Sequence, residues 1–326
     1  MLLSELGRRR VLFFGGKGGV GKTTLASATA AGLGAAGRRV LVVSTDPAHN
    51  LGHLWQRDVG PSPVRLAAGV DGVELDPAST VDEHLKAVER SLRKLMPERL
   101  HGEVRRHLEA AREAPGMVEA AMLEKIAITV EEGLSTHDVV IFDTAPTGHT
   151  TRLLELPELM AGWTQGLLDH RRRAQRFESA LGQFRAAPAD GPGAKVMGGE
   201  PDRDHEMRAV LLRRQQRFTA LRAILMDREA CAFVVVLAAE RLPVLETIDL
   251  ARKLETLQVA LGGLVVNKRA PTSEGDFWSA RVVEEEAHLR TLHDALGHHR
   301  RIDIAMSPRE ILGAEALEVF AARNLS

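Results

Sequence analysis

The chain has 326 residues, 43 basic and 44 acidic side chains for a formal net charge of −1, and 44% hydrophobic residues. That length supports a large core, in one domain with an insertion or in two, while the balanced charge removes any general electrostatic attraction to nucleic acid. A single cysteine, Cys231, excludes an internal disulfide framework and a cysteine-based zinc site.

Aromatic residues make up only 4% and tyrosine is absent, so platforms for stacking bases or sugars are scarce. The N-terminal MLLSELGRRRVLFF lacks the order of charge, apolar stretch and cleavage site of a signal peptide. No apolar run approaches the roughly 20 residues that cross a bilayer. The chain is expected to be cytoplasmic.

In chain order, RRRVLFFGG predicts a short buried strand entering a glycine turn, and TTLASATAAGLGAAG the helix after it. RRVLVVSTDP is a second, almost continuously apolar strand, of the type covered on both faces. GVELDP predicts a short third strand. From Thr80 to Gly133 the pattern turns helical: Thr80-Val81-Asp82-Glu83 has capping-box spacing, and Leu85, Val88, Leu92 and Leu95 follow along one face. HDVVIFDTAP is again a buried strand.

A second helical block runs from Thr151 to Arg228. Met207, Val210, Leu211, Phe218, Leu221 and Leu225 form its apolar stripe, among Arg208, Arg213, Arg214, Arg217 and Arg222. Within it, residues 186–204 are dense in Gly, Pro and charge and predict a flexible loop. CAFVVVLAAE, LGGLVVNK and RIDIAM complete the strands. Buried strands alternating with helices predict an α/β fold with a doubly wound, mostly parallel sheet, whose ligands sit at the carboxyl ends of the strands. The core spans 8–79, 134–150 and 231–326, and a helical subdomain is inserted as 80–133 and 151–230.

Gly16-Lys17-Gly18-Gly19-Val20-Gly21-Lys22-Thr23 satisfies the phosphate-loop pattern G-x-x-x-x-G-K-[ST] between a strand and a helix. Glycines are needed because backbone N–H groups must converge on phosphate oxygens, which side chains would obstruct. Lys22 would bridge the β- and γ-phosphates, the Thr23 hydroxyl would ligate Mg²⁺, and Thr24 would reach the α-phosphate. Asp143, ending VVIFD, stands where a carboxylate holds the Mg²⁺ shell. Asp46, ending VLVVSTD, is a second acid at the same edge, although Asp before Pro is also a turn signal. One such acid can hold the metal shell while the other orients or deprotonates water. Asn267-Lys268 ends a strand where a base would lie. Ala270 replaces the acid that guanine recognition requires, so with the loop this points to ATP.

KGGVGKTT also resembles the deviant phosphate loop of a group of dimeric ATPases. STDPAHNL, FDTAPTGHTTRLLELP, VELDP, APGMVEA, AAERLPVLET, VVNK and SPREILGAEAL are similar to segments of the arsenite-pump and guided-entry ATPases, the latter delivering tail-anchored membrane proteins. The resemblance covers most of the chain and is weakest over 160–230. It implies a homodimer closing on ATP, with Lys17 reaching across to the partner's ATP while Lys22 acts in cis. It also implies that Asp46 activates water, Asp143 holds the Mg²⁺ shell, Glu240 contacts nucleotide, Asn267 reads adenine and Pro308 begins the segment near the base. His49 and His149 lie in the switch segments. Without a Cys-x-x-Cys pair no zinc is expected, and one cysteine in one ATPase half argues against metalloid gating through thiols.

Seven of the nine methionines (Met96, Met117, Met122, Met160, Met197, Met207, Met226) fall between 96 and 226. They suit either an adaptable groove for a hydrophobic client or an irregular helical core. The leading expectation is therefore an Mg²⁺-dependent ATPase that drives a client-binding subdomain, with a hydrophobic membrane protein, or a membrane receptor or transporter, as partner. The alternatives are the energising subunit of a metalloid or other transporter, a partitioning ATPase on DNA or membrane, and a holdase with a vestigial site. No specific nucleic acid partner is expected.

Overall fold

The computed structural model of the chain describes residues 2–46, 50–95, 101–114, 116–144, 201–271 and 275–325. A short helix α1 (Leu2–Leu6) leads into β1 (Val11–Gly15), α2 (Lys22–Ala35), β2 (Val40–Ser44) and α3 (Asn50–Trp55). A hairpin, β3 (Val64–Ala67) and β4 (Val70–Glu74), precedes three helices: α4 (Pro77–Leu95), α5 (His101–Arg112) and α6 (Met117–Thr136). After β5 (Val139–Asp143) come α7 (Pro201–Met226), β6 (Cys231–Ala238), α8 (Arg241–Thr256) and β7 (Leu261–Arg269). The chain closes with α9 (Gly275–Leu296), β8 (Arg301–Ala305) and α10 (Gly313–Asn324).

The strands form one sheet in the order β3-β4-β2-β5-β1-β6-β7-β8. Every pairing is parallel except β3 with β4. All seven expected strands are present. The eighth, β3, has a half-exposed pattern with an arginine in it, so an apolar-run criterion passes over it. It exists as the antiparallel edge partner of β4.

Alternation along each strand builds two cores. Val11 and Phe13 of β1, with Val140 and Phe142 of β5 and Phe233 and Val235 of β6, face α6, α7 and α8. Leu12 and Phe14, with Ile141, Val234 and Val236, face α1, α2, α3 and α10. Phe13 stacks on Phe142 with ring centroids 4.9 Å apart. The near-continuous apolar strands are thus explained by two covered faces.

A local expectation is corrected. Helix α4 begins at Pro77, not Thr80: Asp76 accepts from the Ser79 N–H at 2.7 Å and proline takes the first helical position. Thr80 is already inside the first turn, and Glu83 pairs with Lys125 at 3.0 Å instead of reaching back. The arginine-rich face of α7 is partly occupied. Arg214 pairs with Glu124 at 2.9 Å and Arg217 with Glu131 at 2.8 Å, both on α6.

Phe218, Leu221 and Leu225 of the expected α7 stripe are buried in the sheet core, whereas Val210 is exposed. Met122 is also in that core. Residues 201–204 of the expected loop 186–204 are instead the start of α7, whereas residues 151–200, with the rest of that loop and Met160 and Met197, lie outside the described residues, as do Met96 and the side chains of Met207 and Leu211.

Candidate active site

The site begins where β1 ends. Residues 16–21 form the loop between β1 and α2, and two of its glycines are required by contact. Gly16 has φ 143°, and a Cβ there would lie 2.0 Å from the Val236 carbonyl oxygen. Gly21 has φ 96°, and a Cβ there would lie 2.5 Å from Asn267 Nδ2. Any side chain at either position would displace the loop.

Sheet register brings the acids to the loop. Asp143 lies level with Phe14 of β1 and Ser44 of β2, so Asp46, two residues beyond Ser44, emerges beside it. Two buried threonines lock these strand ends. Thr144 donates its N–H and hydroxyl to the Phe14 carbonyl at 3.1 and 2.8 Å. Thr45 donates its N–H and hydroxyl to the Asp143 carbonyl at 2.9 and 3.3 Å. Sequence reasoning missed both; their adjacency to Asp46 and Asp143 was the available signal.

Lys22 is buried, and its ammonium donates to the Lys17 carbonyl at 3.1 Å. Burial pulls its pKa down, while the charges of Asp143 and Asp46 push it back up. Asp143 is wholly buried, and neither carboxylate oxygen completes a hydrogen bond. Burial pushes its pKa up to about 7 against the opposing influence of the nearby Thr23 hydroxyl and the Lys22 charge, and Asp46 adds to the rise. A buried carboxylate with two unsatisfied oxygens facing a threonine hydroxyl fits the shell of a hard cation. Thr23 and Asp143 are therefore the residues suited to Mg²⁺. Among the described residues no group of three or more His, Cys, Asp or Glu is placed to hold a metal ion.

Around this centre, Lys17 is half-exposed with its ammonium 3.3 Å from Glu246 Oε1 on α8 of its own chain. Asn267 Nδ2 donates to the Val20 carbonyl at 2.9 Å and Lys268 Nζ to the Gly19 carbonyl at 2.8 Å. Asn267 thus braces the phosphate loop in this structure. Glu240 lies between β6 and α8 with its carboxylate 2.7 Å from Arg281. Pro308 is exposed in the segment after β8. Gly18, Thr24 and the rest of the motif occupy the loop and the first turn of α2. His49, His149 and most of the second switch segment lie outside the described residues.

A glycine loop running from a central parallel strand into a helix, a buried lysine at the helix start and a buried carboxylate on the neighbouring strand define a phosphate-loop nucleotide hydrolase. The family model of anion-transporting ATPases of the ArsA type matches residues 9–325. The chain belongs to that family and is an ATPase. ATPase GET3 of Podospora anserina is 28% identical over 323 residues, covering 96% of this chain and 89% of that protein. ATPase ASNA1 homolog 1 of Paramecium tetraurelia is 28% identical, covering 95% and 90%. The arsenical pump-driving ATPase of Escherichia coli is 29% identical, but the match covers 94% of this chain and only 48% of that protein.

Proposed function

We propose that the chain works as a homodimer that closes over two ATP molecules and passes the energy of hydrolysis to a helical subdomain (80–133 and 151–230) carrying a hydrophobic membrane-protein client in the cytoplasm. One observation supports the dimer above the others: the second lysine of the loop is at the surface rather than inside its own site. Lys22 fills the cis position, whereas Lys17 is half-exposed and, among the described residues, paired with Glu246. An ion pair that open to water is worth about 0–1 kcal/mol, so it cannot keep Lys17 from a partner's phosphate. Leu242 and Leu245, on the same helix as Glu246, are 59% and 43% exposed and suit an apolar contact between subunits.

In this reading the loop N–H groups and Lys22 bind the triphosphate. Asn267, with Glu240 and Pro308, lines the base end. Thr23 and Asp143 hold Mg²⁺, which when bound neutralises phosphate charge and orients the phosphates. Asp46 aligns the attacking water and accepts its proton. Lys17 of the partner subunit stabilises the charge developing on the transferred phosphoryl group.

Two variants test the trans arrangement. Lys17→Ala should keep ATP binding yet lose about three orders of magnitude in turnover, and Asp46→Asn should be similarly inactive. Mixed together they should recover about a quarter of wild-type activity, because half of random dimers are mixed and each has one complete site. No recovery in the mixture, with both variants folded and dimeric, would place Lys17 in cis.

Energising a metalloid transporter is the second reading, favoured by relatives such as the arsenical pump-driving ATPase of Escherichia coli. Here Cys231 is buried on β6 and burial pushes its thiol pKa up to about 12, so it is not a thiolate ready for a soft ion.

A further inference from the structure

Two successive residues of β7 reach the phosphate loop from behind. The register of β7 against β8 slips between Val266 and Arg269, an irregularity of the kind that re-aims side chains beside active sites. Within the slip, Lys268 has φ 59°, a left-handed conformation unfavourable for a lysine. Among the described residues Gln56 and Gln258 also have positive φ. Both follow helices, α3 and α8, where that conformation commonly ends a helix. Lys268 instead lies inside a strand.

In a regular strand neighbouring side chains point to opposite faces. Here Asn267 and Lys268 both turn to the loop and take successive carbonyls, those of Val20 and Gly19, at 2.9 and 2.8 Å. A trans peptide points its C=O and the following N–H in opposite directions. Holding the Gly19 and Val20 carbonyls against β7 therefore aims the N–H groups of Val20 and Gly21 away from it. Convergent N–H groups are what a phosphate loop needs.

We propose that Lys268 is a positioning residue of the nucleotide site: seated on the Gly19 carbonyl, its ammonium holds the loop in its phosphate-binding shape before nucleotide arrives. The proposal rests on residues 16–23 being the triphosphate site. Lys22 ties the loop from inside through the Lys17 carbonyl, and Lys268 ties it from outside. Preorganisation of this kind acts on ground-state affinity more than on the chemical step.

The test is Lys268→Asn, because asparagine tolerates the left-handed backbone but is too short to reach Gly19. Titration with a fluorescent ADP should show binding weakened about tenfold. KM for ATP should rise by a similar factor, with kcat within about twofold. Amide exchange at Val20 and Gly21 should quicken in the nucleotide-free protein, and Lys268→Arg should restore most of the affinity. If Lys268→Asn misfolds, Lys268→Gly, free of the backbone strain, supplies the same measurements. Unchanged affinity and exchange overturn the inference, as does a fall in kcat at constant KM. Lys22→Ala run alongside separates the two levels. If it abolishes binding while Lys268→Asn does not weaken it, only the role of Lys268 fails; if it binds normally, the site itself has been misplaced.

Discussion

At the scale of single residues, two buried titratable groups differ in what their surroundings demand. Asp143 has its pKa raised from 3.8 to about 7 by burial. Its folded form therefore binds a proton that the unfolded chain has released between about pH 4 and pH 7. Stability from this group is greatest below about pH 4 and falls as pH rises through that window. Thermal unfolding of the nucleotide-free protein should show that loss between pH 5 and pH 7.5, and Asp143→Asn, neutral throughout, should flatten it. An identical profile in the variant would mean that the carboxyl is ionised in the empty site. Cys231, raised to about 12, should resist iodoacetamide at pH 8 in the native protein and react fully in denaturant. Rapid labelling of the folded chain would reopen the thiol-metalloid reading.

At the scale of elements, the helices flanking the sheet do more than their polar composition suggests. The lower half of α7 is anchored by Phe218, 0% exposed in the core that also holds Phe142 and Phe233. Phe218→Ala should cost about 3–5 kcal/mol, read as a large drop in the denaturant midpoint. Val210→Ala, at a position 38% exposed on the same helix, should be nearly silent. Equal, small effects would show that α7 is loosely held along its whole length. The firm seating of α6 and α7 on the sheet also offers a mechanical route. Movement at the carboxyl ends of β1 and β5 would be passed through packed side chains to the helices proposed to hold a client.

At the scale of the whole molecule, no helix among the described residues is long and apolar enough to cross a membrane. Isolation of the tagged protein from cells without nucleotide should recover proteins with a hydrophobic C-terminal segment, and ATP should release them. If nothing apolar is recovered and arsenite or antimonite raises turnover several-fold, the transporter reading takes precedence.

Much of this was legible before folding was considered. The strands β1, β2, β5 and β6 announce themselves as apolar runs because both sheet faces are covered, while the shorter or more exposed β4, β7 and β8 are read from weaker apolar patterns. The loop from Gly16 to Thr23 is readable because its backbone tolerates glycine alone at the close contacts. Both signals are local, carried by residues a few positions apart. What lay outside the sequence is non-local. Asn267 and Lys268 meet the loop from more than 240 residues away; Lys17 finds Glu246 across the chain; and the Asp143 carboxyl has its pKa raised because its strand end is buried between β1 and β2. Side-chain type and spacing determine which groups a chain possesses. Only packing decides which of them are brought together, and how far each is removed from water.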